Sequence, residues 1–163
     1  PPVTRQKRHM PAADTQPAPA DPTFIYTVDR SRFGSGEWDQ EPDRVEFVTA
    51  AGLPALIVRN AMGALCGYVA VAPGHPCHGT SGDGLEVHGG ITYQGECSGA
   101  VCHVPAPGDP DDVWWLGFDA AHWRDLVPAM DEAIGTGGVY RNVAYMRGEC
   151  ESLAAQLAAQ AVA

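Results

Sequence analysis

The chain has 163 residues, 45% of them hydrophobic, and a net charge of −10, which suits one domain with a buried core plus an extension and excludes a disordered polymer. From Phe33 onward five cations (Arg44, Arg59, Arg124, Arg141, Arg147) face seventeen carboxylates, a balance of −12. Such a surface keeps the protein in solution and repels phosphate backbones, so no nucleic-acid partner is expected, although a local basic pocket is compatible with it. No apolar stretch reaches the roughly eighteen residues that cross a bilayer, and the start lacks the apolar region of a signal peptide. No membrane partner and a cytoplasmic setting are the expectation.

Residues 1–22 hold Pro1, Pro2, Pro11, Pro17, Pro19 and Pro22 among Ala, Gln and charge, without apolar periodicity. That composition does not offset the entropy of ordering the backbone, so residues 1–36 are read as a mobile Pro/Ala-rich extension and 37–163 as a single domain. Thr23 to Val28 has strand character at the edge of that extension. Within the domain, Arg44-Val-Glu-Phe-Val48 alternates as a strand, Ala51-Gly52 turns, and Leu53 to Arg59 and Leu65 to Val71 follow as apolar runs. Three strands joined by short turns predict an antiparallel meander. Pro54 is tolerated only at a strand's start or on an edge.

Residues 73–84 and 94–112 are long Gly/Pro-rich loops, and Leu85 to Tyr93 between them reads as a strand interrupted by Gly89-Gly90. A Gly pair inside a strand predicts a bulge or a close approach by a ligand or another backbone. Val113-Trp-Trp-Leu-Gly-Phe118 is a buried strand by its aromatic content, with Trp114 and Trp115 on opposite faces. Asp119 is placed to cap a following helix that breaks at Pro128 and resumes to about Ile134. After Gly135-Thr-Gly-Gly138, the residues Val143, Met146, Cys150, Leu153 and Leu157 repeat at 3, 4, 3, 4, a stripe along one helix face that covers the sheet. Glu149, Glu151, Gln156 and Gln160 fall off the stripe, so Gln156→Ala is expected to change stability by no more than about 0.5 kcal/mol. The predicted architecture is α+β: an antiparallel sheet of about five strands with two helices packed on one face.

Five cysteines without a signal peptide do not suggest a disulfide framework. Cys66 and Cys150 read as small core residues, while Cys77, Cys97 and Cys102 lie in loops beside His78 and His103 without a C-x2-C pair. Six histidines in a small acidic chain raise a metal site as one reading. In Asp119-x-x-His122-x-x-Asp125, Asp119 and His122 would share a face if helical, and His88 and His75 would complete a ligand set for zinc or another divalent ion. A second reading is a metal-free acid–base site built from His88, Asp119 and His122. A third assigns these residues structural roles, with Asp119 a cap and the histidines bonded to neighbours. No GxxxxGK[ST], HExxH or GxSxG pattern is present.

Several strings in combination (Glu41-Pro-Asp-Arg-Val-Glu-Phe47, Gly67-Tyr-Val-Ala-Val-Ala-Pro-Gly-His-Pro76, Val87-His-Gly-Gly-Ile-Thr-Tyr93, Trp114-Trp-Leu-Gly-Phe-Asp119, Ala121-His122 and Glu149-Cys-Glu-Ser-Leu153) give the chain a family likeness. Over roughly residues 37–160 it resembles small uncharacterised proteins of actinobacteria and tailed bacteriophages. Those relatives carry a small residue and Gly where this chain has Trp123-Arg124. The resemblance implies no activity, but it holds His75, His88, Asp119 and His122 within shared strings. Two functions are therefore expected from different classes: a hydrolase-like or group-transfer enzyme using His88, Asp119 and His122, with or without a metal, and a non-catalytic binding or inhibitor protein. The latter would engage a protein partner or small molecule through its long loops.

Overall fold

The computed structural model describes residues 26–162; the extension over residues 1–22 lies outside them. After a turn of 3-10 helix at Glu37–Gln40, the strands are β1 (Arg44–Val48), β2 (Pro54–Arg59), β3 (Leu65–Val71), β4 (Tyr93–Gly95) and β5 (Trp114–Asp119), and the helices are α1 (Pro128–Ile134) and α2 (Val143–Ala161). The strands form one five-stranded sheet in the order β1-β2-β3-β5-β4, antiparallel throughout. The protein is an α+β fold, with the first three strands forming the expected meander. Pro54 opens β2, where its missing N–H is tolerated.

Strand alternation sorts the core into two layers. Ile57, Val69, Leu116 and Phe118 face α2, whose Met146, Cys150, Leu153 and Leu157 are fully buried against them. Leu56, Val58, Ala70 and Trp115 face the opposite side, where Val101, Val113 and Tyr26 cover them. Trp114 and Trp115 thus separate onto opposite faces. Gly67 is required by packing: a Cβ there would sit 2.5 Å from the Phe118 ring and 3.0 Å from Cys150 Sγ.

The polar flanks of α2 hold the loops that its apolar stripe does not reach. Glu149 accepts from His88 N, Glu151 from Ala50 N, and Gln160 from Cys77 Sγ. Gln156 accepts from Glu86 N at 2.8 Å and donates to Glu86 O at 2.7 Å, pairing with the backbone as a neighbouring strand would. The open face assigned to Gln156 from the stripe alone is therefore occupied. Leu153→Ala is expected to cost about 2–5 kcal/mol by leaving a core cavity. Gln156→Ala is expected to cost about 1–2 kcal/mol, because it unpairs two backbone groups. Urea unfolding of both variants checks the pair, and a loss below about 0.5 kcal/mol for Gln156→Ala would leave the clasp without energetic weight.

Three expectations are corrected. Leu85 to Tyr93 is not a strand: Gly84, Gly89 and Gly90 all take positive φ, and strand pairing begins only at Tyr93. The segment from Asp119 is not a helix either, because Arg124 has φ 73 and helical backbone starts at Pro128. The first helical position suits proline, whose N–H would have no partner there. Cys97 and Cys102 form a disulfide across a tight loop, where no disulfide was expected.

Residues before Trp38 also contribute to the fold. Phe33, assigned to the extension from sequence, is buried with Trp38 and Ala129 of α1. Ala129 N donates to Met62 O, which fixes α1 on the turn between β2 and β3. Beneath that contact lies a buried ion cluster. Arg59, fully buried, donates through Nε to Asp43 at 2.9 Å and through Nη1 to Gly63 O and the Tyr140 hydroxyl, while Nη2 lies 3.3 Å from Glu41. Asp43 also accepts from Val28 N and pairs with Arg30.

Candidate functional site

The loop 85–92, the loop 119–127 and the first turn of α2 meet at one place. Asn142 caps α2 by accepting from Tyr145 N, which fixes Tyr145 in the first turn. Glu149, one turn further along, grips His88 N. His88 is thereby laid on the helix with Nδ1 2.8 Å from Tyr145 Oη and Nε2 2.7 Å from Asp125 Oδ2. Asp125 is nearly inaccessible and also accepts from Arg141 Nε at 3.0 Å and from His122 N at 3.0 Å.

These contacts set the charges. Burial alone would raise the Asp125 pKa. The hydrogen bonds from His88, Arg141 and His122 N outweigh it and hold the carboxyl below the usual carboxylate range. Burial first, then the Glu149 carboxylate, pushes the Tyr145 phenol up against the pull of Arg141, and Asp125 adds to the rise. Arg141 stands over the Tyr145 ring at 4.8 Å from its centroid. A carboxylate can only accept, so Nε2 of His88 carries the proton toward Asp125, and neutral His88 presents the Nδ1 lone pair to Tyr145.

The predicted residues are in part brought together. The His88 and His122 rings lie 5.8 Å apart. Asp119 accepts from the Thr92 hydroxyl at 2.8 Å and from Ala121 N at 3.0 Å, so it caps a turn instead of a helix. His122 Nε2 is 3.3 Å from Asp119 Oδ1 but off the line of a hydrogen bond, and this buried nitrogen has no hydrogen-bond partner among the described residues. His75 is elsewhere, with Nε2 on Leu157 O at 2.9 Å and Nδ1 accepting from Cys77 N. Both ring nitrogens of His75 and of His88 are engaged within the protein, and among the described residues no group of three or more His, Cys, Asp or Glu is arranged to hold a metal ion. The four-residue ligand set of His75, His88, Asp119 and His122 is therefore not assembled.

The partner of His88 is Asp125, not Asp119, and Tyr145 and Arg141 complete the arrangement. The D-x-x-H-x-x-D string marked Asp125 but paired its members with one another. Tyr145 and Arg141 left no signal, since neither belongs to a spaced motif. The Gly89-Gly90 pair predicts a bulge or a close approach by a ligand or another backbone; what comes close is a side chain, since Gly89 has φ 70 and a Cβ there would lie 2.0 Å from His122 Nε2. Gly89→Ala is therefore expected to displace the His122 ring and destabilise the fold by about 1–3 kcal/mol, from the left-handed backbone and the overlap together. Thermal melts and the His122 ring resonances check this. An unmoved ring would remove Gly89 from the site.

A cleft of about 800 Å³ opens beside this cluster, bordered by His122, Trp123, Arg124, Asp125, Val139 and Arg141. Its walls are laced by Val139 N to Arg124 O at 2.9 Å and Leu126 N to Val139 O at 3.0 Å. No helix among the described residues is long and apolar enough to cross a membrane. No protein-family model matches the sequence, and no match was found among the curated proteins or the solved structures.

Proposed function

We propose that the chain is a small enzyme of the hydrolase-like or group-transfer class, working by metal-independent acid–base chemistry at Tyr145, His88 and Asp125. The observation that carries this reading is the unbroken relay of Tyr145 Oη to His88 Nδ1 at 2.8 Å and His88 Nε2 to Asp125 Oδ2 at 2.7 Å. A nucleophile, a base and a group orienting the base are the parts that such chemistry needs. Tyr145 Oη attacks an acyl or phosphoryl centre while its proton passes to His88. The imidazolium, held by Asp125, returns that proton to the leaving group, and water then frees the group from the phenol. In this reading the substrate enters the cleft beside the relay, which His122 lines, and Asp119 only holds its own turn.

An aryl sulfonyl fluoride, which captures phenols activated by a neighbouring base, is expected to label Tyr145, as mapped by peptide mass spectrometry. His88→Gln should slow that labelling about 10²–10⁴-fold, the usual worth of a positioned base. Labelling of Tyr145 no faster than that of the half-buried Tyr93 would eliminate an activated phenol. A second reading, a non-catalytic binding or inhibitor protein, is favoured by Trp123, which stands 92% exposed on the loop that carries His122 and Asp125. It becomes the better one on that negative outcome. The Cys97–Cys102 disulfide favours an oxidising compartment over the cytoplasm.

A further inference from the structure

We infer that the cleft beside the relay recognises a small molecule carrying an anionic group on a planar ring. Arg124 and Arg141 supply the charge and Trp123 the stacking surface. This rests on the reading of the cleft as the substrate site and names the class of molecule that enters it.

The charge distribution carries the first part. On a strongly acidic chain, two guanidinium groups border one cleft, and Asp125 is the sole carboxylate among its lining residues. That carboxylate is already taken by His88, Arg141 Nε and His122 N. Arg141 spends only Nε on Asp125, so its terminal nitrogens make no hydrogen bond among the described residues, and the Arg124 side chain makes none at all among them. Arg30 and Arg59 are taken by Asp43 and Arg44 by Glu46, whereas Arg32 and Arg147 lie outside this cleft. Guanidinium groups with free donors at the mouth of one cleft match a carboxylate or phosphate.

The backbone carries the second part. Arg124 is the non-glycine residue with positive φ among the described residues, at 73. A long cationic side chain in that conformation is disfavoured, and it makes no hydrogen bond or ion pair among the described residues in return. The bond from Val139 N to its carbonyl holds Arg124 in this backbone conformation at the cleft mouth. Its neighbour Trp123 exposes a full indole face to solvent, which suits stacking by a planar ring with a guanidinium alongside.

The test uses the full chain, phenyl phosphate and benzoate as probes, and benzyl alcohol as the neutral counterpart, read by amide and indole resonances in proton–nitrogen correlation spectra. At millimolar concentration, phenyl phosphate or benzoate is expected to shift the Trp123 indole and the amides of residues 121–126 and 136–141, and the tighter of the two identifies the head group. Arg124→Gly removes the charge while relieving the backbone, so it folds, and it should weaken binding about tenfold. Trp123→Ala should weaken it comparably. Absence of shifts in these segments with both anions, or equal binding of benzyl alcohol, overturns the inference. Binding is read without turnover: anion binding with an unlabelled Tyr145 sinks only the enzymatic reading, whereas a labelled Tyr145 with no anion binding sinks only this one.

Discussion

Asp43→Ala is expected to lower unfolding stability by about 3–5 kcal/mol, the usual cost of stranding one partner of a buried ion pair. Arg59 is fully buried and pairs with Asp43 through Nε at 2.9 Å. Removing the carboxylate also frees Val28 N and takes one acceptor from Arg30, which keeps Trp38 O and Glu41 O; these contacts help to fasten residues 26–33 to the domain. Urea denaturation measures the loss, and Asp43→Ala combined with Arg59→Met should recover a large part of it, because the stranded charge then disappears. A loss under about 1 kcal/mol for the single variant would mean that Glu41, 3.3 Å from Nη2, or water takes over the Arg59 charge. The pH dependence follows from the same contacts. Burial would raise the Asp43 pKa, but the hydrogen bonds from Val28 N, Arg30 and Arg59 hold it below its usual 3.8. The unfolded chain then binds this proton at higher pH than the folded one, so the contribution is whole above about pH 4 and is lost as pH falls through the lower folded value.

The parts legible in the sequence were those with a local pattern. Strand β1 follows from alternation, β2, β3 and β5 from apolar and aromatic runs bounded by turns, and the buried face of α2 from its 3-4 spacing. The segments that misled are held by single side chains. Leu85 to Tyr93 has strand-like residues, yet its backbone hydrogen bonds go to Glu149 and Gln156 of α2, which no local pattern encodes. Asp119 has the chemistry of a helix cap and spends it on a turn, because the left-handed Arg124 lies within the helix it would have started. The site suffered likewise: His88 and His122 were recognised by type, and their rings do meet, but the choice of Asp125 over Asp119 depends on a loop path. Tyr145 enters through helix phase, one turn before Glu149, and Arg59 closes a strand read as an apolar run, where nothing local names its buried partners.

Asp125→Asn is expected to slow sulfonyl fluoride labelling of Tyr145 by about 10²–10⁴-fold while the chain stays folded. The carboxylate accepts from His88 Nε2, Arg141 Nε and His122 N. An amide of the same shape has one accepting oxygen, so at least one of these donors would face an NH2 group. If the lost partner is His88, the imidazole gains by moving its proton to Nδ1, and the lone pair that faced Tyr145 is gone. Stability should fall by about 1–3 kcal/mol, and the share of acid sensitivity that the depressed Asp125 pKa confers should vanish with the titrating group. Asp119→Asn is the control, since Asp119 touches Thr92 and its own turn and makes no contact with His88; its labelling rate should stay within about threefold of wild type, a difference under about 0.7 kcal/mol. Nitrogen-15 shifts of the His88 ring report the tautomer independently of any reaction. Retention of the Nε2–H form together with unchanged labelling in Asp125→Asn would show that Asp125 is only a structural anchor, and with it the relay would lose the group that orients its base.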